Sequence, residues 1–172
     1  MHVRSATERD AAVCAAIYAP YVLDTAITFE TDPPSVAEMA RRIAAACNTH
    51  AWLVVEDEGG VFGYACGGPF HARAAYRWAC EVSVYLERGR RRTGAGRALY
   101  TELLSRLTER GFRVAVGGMT LPNDASVGLH RAMGFEPVGV YRRIGYKHGA
   151  WHDVAWTQRI LAAGDDPPPE PR

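Results

Sequence analysis

Residues 82–99 read VSVYLERGRRRTGAGRAL, and the fold turns on this stretch. Val82–Leu86 has the apolar, β-branched character of a strand, continuing from Ala79. The segment Glu87–Arg97 is a basic loop with three glycines. Beyond it, Leu99, Leu103, Leu104 and Leu107 make an apolar stripe at helical spacing, and Gly111 ends the helix. A strand that passes through Arg91-Arg92-Thr93-Gly94-Ala95-Gly96 directly into a helix is suited to hold a pyrophosphate. Glycines let the backbone approach and turn its N–H groups inward. The helix N-terminus adds about half a positive charge, and arginines supply charge-assisted bonds to phosphate. The loop is not G-x-x-x-x-G-K-[ST], and it lacks the third glycine of the dinucleotide fingerprint. Two plainer readings compete: a turn with a solvated basic run, and a nucleic-acid patch at Arg88–Arg92.

Around this stretch, helix and strand signals alternate without an internal repeat. His2–Ala6 opens as a strand. Thr7-Glu8-Arg9-Asp10 approximates a capping box for a helix carrying Val13, Ile17 and Tyr18 and ending near Pro20. Ser35-Val36-Ala37-Glu38 opens a second helix with Met39, Ile43 and Cys47 on one face. Trp52–Glu56 and Val61–Phe70 flank the hairpin turn Asp57-Glu58-Gly59-Gly60. After the central helix come a strand at Val114–Thr120, a short helix capped at Asn123-Asp124 and closing at Gly134, and strands at Phe135–Ile144 and His152–Gln158. The order β-α-α-β-β-β-α-β-α-β-β predicts an α/β domain with a mixed sheet and helices on both faces.

At 172 residues the chain suits one domain, taken as 1–163, followed by a Pro-rich tail at 164–172 expected to be disordered. A net charge of +1 gives no global pull toward nucleic acid or anionic membranes, so anion recognition must be local. The N-terminus lacks the apolar core of a secretory signal, and no run approaches the roughly 18–20 apolar residues that span a bilayer. Cys14, Cys47, Cys66 and Cys80 form no C-x-x-C pair, which argues against zinc or redox chemistry and points to a reducing cytoplasm. The H-x-x-x-H spacing of His148 and His152 lies in a Gly- and Trp-rich segment without a carboxylate set, so no metal is expected.

The R-x-x-G-x-G loop between strand and amphipathic helix resembles motif A of the GNAT superfamily of acyl-CoA N-acyltransferases. Leu121–Phe135, LPNDASVGLHRAMGF, resembles the motif B of that superfamily, an asparagine-capped helix over the cofactor. Five further segments (Thr28–Thr31, Gly68-Pro69, Arg73–Tyr76, Glu81–Tyr85 and Gly145–Val154) are similar to the phosphinothricin N-acetyltransferase subfamily, which also acetylates methionine sulfoximine and methionine sulfone. The resemblance runs from about Val3 to Gln158. It implies a GNAT fold, a mostly antiparallel mixed sheet, acetyl-CoA as co-substrate, a small amino-acid-like amine as acceptor, and a homodimer shaped by the C-terminal strands.

It also implies roles for residues. Acetyl-CoA would be held by Val84, Tyr85, Leu86, Arg91, Arg92, Thr93, Gly94, Ala95, Gly96, Arg97 and Asn123, with a bulge near Val84–Leu86 aiming backbone amides at the thioester. Glu81 corresponds to the glutamate assigned as general base. Independently of the resemblance, a carboxylate in an apolar strand is a suitable proton acceptor for an ammonium once burial raises its pKa; the plain alternative is a salt-bridged edge-strand glutamate. His130 stands where many GNAT enzymes have a tyrosine that protonates the departing thiolate; either His130 donates, or water does, or no acid is needed because a thiolate leaves readily. Acceptor contacts are expected from Phe29, Arg73, Tyr76, Glu81, Val82, Ser83, Tyr146, His148 and Trp151, with Arg73 gripping an oxyacid. The subfamily's Lys-Ala-Arg is His71-Ala72-Arg73 here, which leaves the exact anion specificity open. Cys80 adjoins Glu81, but strand neighbours face opposite ways, so it reads as a buried thiol. Other readings are acetylation of a protein N-terminus or another amine, and a CoA-binding module without turnover.

Overall fold

The computed structural model describes residues 1–90, 92–164 and 169–171. Its elements follow the expected order: β1 His2–Ser5, α1 Ala11–Asp24, α2 Val36–Thr49, β2 Ala51–Asp57, β3 Gly60–Pro69, β4 Ala79–Leu86, α3 Ala95–Glu109, β5 Val114–Thr120, α4 Asp124–Ala132, β6 Glu136–Lys147 and β7 Ala150–Ile160. One seven-stranded sheet runs β1-β2-β3-β4-β5-β7-β6, antiparallel except for β4 against β5. Each face buries a separate core. Leu99, Leu103 and Leu107 of α3 pack with Leu53, Cys80 and Val82 on one side. Ile17 and Val22 of α1 and Met39 and Ile43 of α2 pack with Trp52, Val54 and Tyr64 on the other. Successive residues of β2 therefore serve opposite faces, as the pleat requires.

The parallel pair is the decisive piece of topology. β4 and β5 pair only at Ala79↔Val114, Cys80↔Ala115 and Glu81↔Val116. Past Glu81 the strands part, while β4 stays paired to β3 as far as Leu86. The sheet thus opens at its centre, between the C-terminal halves of two strands.

Four local features depart from the sequence reading. α1 passes Pro20 and ends at Asp24. A proline removes one backbone donor, and the last turn is held from outside: Val22 is buried, Tyr21 Oη donates to Leu86 O at 2.6 Å, and Lys147 Nζ donates to Val22 O at 2.7 Å. Thr7 opens a 3-10 turn, Glu8–Asp10, and its N–H and hydroxyl both donate to the Asp10 carboxylate, which also takes two bonds from Arg4. The bulge expected near Val84–Leu86 is absent against β3, whose register with β4 is unbroken from Gly63↔Leu86 to Pro69↔Cys80; divergence from β5 does the opening instead. The last two strands are longer than expected and meet at His148-Gly149, where φ is 52° and 74°. Consecutive positive φ values suit a tight two-residue hairpin turn. Register shifts at Pro137/Gly139 and Tyr141/Gly145 carry that ribbon past positions where simple alternation breaks down.

Among the described tail residues, Pro169 O accepts from Trp78 Nε1 at 3.0 Å and Glu170 pairs with Arg77. Residues 165–168 and 172 lie outside the described residues, as does Arg91. No helix among the described residues is long and apolar enough to cross a membrane.

Candidate active site

The open sheet creates two compartments with a gap between them. On one side, a cleft of about 680 Å³ is lined by Val84, Tyr85 and Leu86 of β4, by Arg92–Arg97 and by Asn123 of the α4 cap. All the expected acetyl-CoA contacts except Arg91, which is not among the described residues, line this one cleft. Gly94 caps α3 at φ +81°, a left-handed conformation that a β-carbon disfavours. The first-turn amides of α3 begin there, and the first amides of any α-helix lack intrahelical acceptors. Gly96 packs close under Leu129 of α4: a β-carbon on it would stand 3.1 Å from Leu129 Cδ2. The arginines divide in a telling way. Arg88 pairs with Asp24, and Arg90 pairs with Asp57 while stacking on Phe62. Arg92 and Arg97 have no carboxylate partner among the described residues and line the cleft. The basic run is therefore partly structural and partly available to an anion.

The gap itself is lined by Val82–Tyr85, Gly118, Met119 and His130. Glu87 N–H donates to Phe62 O at 2.7 Å, so by alternation odd-numbered residues of β4 direct their backbone groups to β3. The peptide groups of Val84 and Leu86 face the gap. Tyr21 occupies the Leu86 carbonyl, and the two N–H groups point to where β5 has departed.

On the other side of the sheet, a cavity of about 700 Å³ is lined by Glu81 and Ser83 of β4, by Tyr64 and Cys66 of β3, by Trp52, and by Tyr18, Glu30 and Arg42 from the helical layer. Glu81 belongs to a central strand and has no hydrogen-bond or ion-pair partner among the described residues, which removes the edge-strand salt-bridge reading. Burial pushes its carboxyl above the ordinary range, and nearby His71 draws it back only in part. Neighbouring Cys80 faces the opposite core, its thiol pushed up to about 12 by burial. Glu30 is held by two bonds from Arg42, at 2.7 and 3.0 Å, and by Tyr18 Oη. The Arg42 contacts, opposed by burial, keep its carboxyl below the usual range.

His130 is buried at 3% exposure beneath the gap. Its Nδ1 stands 2.8 Å from Ser126 O, which can only accept, so Nδ1 carries the proton. Nε2 is then an acceptor for Tyr100 Oη at 3.2 Å. Burial lowers the imidazole pKa, which favours this neutral form.

The expected acceptor contacts do not all converge. Glu81 and Ser83 line the 700 Å³ cavity, whereas the Val82 side chain lies in the α3 core. Arg73 and Tyr76 line a neighbouring cavity of about 380 Å³, which shares Thr49, His50 and Pro69 with the first. Phe29, Tyr146, His148 and Trp151 line none of these cavities. Tyr146 and Trp151 are exposed, and Phe29 covers Gly145. Sequence reasoning missed Tyr18, Arg42, Trp52, Tyr64 and Cys66. Strand parity offered a route to two of them: Tyr64 and Cys66 pair with Tyr85 and Ser83, on the Glu81 face. No group of His, Cys, Asp and Glu able to hold a metal occurs among the described residues.

Comparison with known proteins decides what this open sheet is. The family model described as an acetyltransferase (GNAT) domain matches residues 3–156. The chain belongs to the GNAT acetyltransferase family. It is an acetyl-CoA-dependent N-acetyltransferase with the GNAT fold. It is 39% identical to a phosphinothricin N-acetyltransferase of Streptomyces viridochromogenes, covering 98% of this chain and 92% of that one. It is 32% identical to an L-methionine sulfoximine/L-methionine sulfone acetyltransferase of Salmonella typhimurium, covering 94% and 95%. Among solved structures, a GNAT superfamily phosphinothricin acetyltransferase of Sinorhizobium meliloti in complex with acetyl-CoA superposes with a TM-score of 0.91 at 39% identity, covering 99% of this chain and 92% of that one.

Proposed function

We propose that this GNAT enzyme acetylates the amino group of a small amino-acid-like acceptor of the phosphinothricin, methionine sulfoximine or methionine sulfone type, by direct transfer with Glu81 as general base. The observation that carries the reading is the position of Glu81. It has no hydrogen-bond or ion-pair partner among the described residues, is half-buried, lines the acceptor-side cavity, and sits in the last β4–β5 register pair before the sheet opens.

Acetyl-CoA supplies the acetyl group as a thioester; Arg92–Arg97 and Asn123 would hold it, with the Val84 and Leu86 amides beside the gap. Glu81 takes a proton from the acceptor's ammonium, leaving a neutral nitrogen free to attack the carbonyl carbon. The Val84 and Leu86 N–H groups are fixed donors for the oxygen that becomes negative in the tetrahedral intermediate. When the C–S bond breaks, the thiolate leaves. His130 has its one proton committed to Ser126 O, so water relays the second proton, which the nitrogen sheds as it becomes an amide, to the thiolate, and His130 acts as a prop under the gap. Placing both reactants on opposite sides of one opening supplies much of the rate gain. An acceptor whose amine lies at Glu81 reaches the Arg73 guanidinium, with the His71 ring beside it, across the shared rim at Pro69, which gives an anionic end a charge-assisted partner. Arg42 is already engaged by Glu30 and Glu38 and is not the oxyacid ligand.

The reading includes a homodimer in a reducing cytoplasm. β6 is one of the sheet's two edge strands and exposes Val138, Val140, Tyr141 and Ile144, an apolar edge unusual for a monomer. Light scattering is expected to give the mass of two chains, and Tyr141→Lys is expected to shift it toward one. The function is tested by following CoA release with phosphinothricin, methionine sulfoximine and methionine sulfone. Turnover on at least one is expected. Absence of turnover on all three, with acetyl-CoA still raising Tm, would overturn the acceptor class and leave the cofactor assignment standing.

A further inference from the structure

The β6–β7 hairpin tip carries the expected acceptor contacts Tyr146, His148 and Trp151, and in the structure it also docks on the α1–α2 loop. Lys147 at the end of β6 is buried at 7% exposure, an unusual place for an ammonium. Its Nζ donates to Val22 O at 2.7 Å and to Thr28 O at 2.8 Å. Val22 O belongs to the last turn of α1, where carbonyls lack intrahelical partners and the helix dipole favours a cation. Thr28 O lies in the loop joining α1 to α2. His148 Nε2 donates to Thr25 O in the same loop at 3.2 Å, and the Phe29 ring fills the space above Gly145, 2.2 Å from where a β-carbon would stand. The β6–β7 turn is thus latched to the α1–α2 loop by an ion, a histidine and a ring.

That loop is the wall common to both substrate compartments. Ile27 lines the cofactor cleft and the gap, and Glu30, two residues beyond Thr28, lines the Glu81 cavity. Thr28 and Glu30 also fix the Tyr18 hydroxyl, at 2.6 and 3.0 Å, and Glu30 fixes Arg42. From this geometry we infer that Lys147 is a positioning residue for acetyl transfer: its ammonium sets the wall against which both acetyl-CoA and the amine are aligned. The inference rests on the proposed acceptor cavity for its amine half only. The cofactor half stands on Ile27 and the shown use of acetyl-CoA.

The test is Lys147→Met, which keeps the length and apolar body but removes the donors. Losing charge-assisted bonds to two carbonyls is expected to raise the acetyl-CoA Kd, measured by calorimetry without acceptor, by about tenfold. The amine KM is expected to rise as well, and kcat to fall. A purely structural lysine would lower the folded fraction while leaving Kd and KM of the folded enzyme unchanged, and that result would overturn the inference. If Lys147→Met does not fold, Gly145→Ala retains the lysine and displaces Phe29 from the same latch. Raised acetyl-CoA Kd there supports the inference; an unchanged Kd refutes it. Failure of the wild type on every amine would refute the acceptor reading and still leave the acetyl-CoA measurement decisive for Lys147.

Discussion

Glu81→Gln is expected to lower kcat by about 10²- to 10⁴-fold with little change in acetyl-CoA affinity. The amide matches the carboxylate in size and can line the cavity as before, but it cannot take a proton from an ammonium. Because the cleft proposed for acetyl-CoA lies on the far side of the opening and Glu81 does not line it, cofactor binding should report an intact site. A variant that retained wild-type kcat would show that the acceptor arrives already deprotonated, or that another group removes the proton.

The same substitution carries a pH signature. Burial raises the Glu81 pKa, so the acidic limb of the kcat/KM profile should lie above the range of an ordinary glutamate and vanish in Glu81→Gln. Stability should move the opposite way to activity. The folded state holds this proton more tightly than the unfolded chain does. The contribution of Glu81 to stability is therefore fully present below the unfolded carboxylate pKa and is lost as pH rises through the raised folded value. Above the raised folded value the wild type carries a half-buried carboxylate with no ion-pair partner among the described residues, a cost that the neutral amide does not carry. Glu81→Gln should melt higher than wild type at pH 7, and the difference should close in acid. A parallel fall in Tm and activity would instead mark Glu81 as a structural residue.

How much of this was legible beforehand depends on how local the determining interaction is. Strand parity placed Glu81 and Cys80 on opposite faces, and the glycines and arginines of 87–97 marked a loop that lines the 680 Å³ cleft; both follow from a few adjacent residues. The end of α1 was not legible, because the groups that carry it past Pro20 come from Leu86 and Lys147, far away in sequence. The docking of Gly145–Val154 on the α1–α2 loop was hidden for the same reason. Two register shifts extend β6 and β7, so the motif becomes a hairpin tip pressed on the α1–α2 loop. Arg73 was identified by its charge, but whether it shares a cavity with Glu81 depends on the path of the chain between Pro69 and Ala79, which no periodicity encodes. Tyr18 and Arg42 escaped notice because each also reads as an ordinary helix residue until the loop bearing Glu30 folds over it.

The second large effect is expected on the cofactor side. Of the four described arginines in the loop, Arg88 and Arg90 are engaged by Asp24 and Asp57, and Arg92 and Arg97 line the cleft without a carboxylate partner. Arg92→Ala with Arg97→Ala should therefore raise KM for acetyl-CoA by about 10- to 100-fold, the upper end requiring that both lose charge-assisted bonds to phosphate and the lower end allowing for their exposure. kcat at saturating acetyl-CoA should change little, because the phosphates lie away from the reacting carbon and their binding is the same in ground and transition states. Wild-type KM should climb with ionic strength, and the double variant should show a shallower slope. Arg88→Ala serves as the contrast: it breaks an exposed pair with Asp24 and should leave KM for acetyl-CoA close to wild type. A double variant with unchanged acetyl-CoA KM but a raised amine KM would move the anion recognised by this loop from the cofactor to the acceptor, and with it the orientation of both substrates across the open sheet.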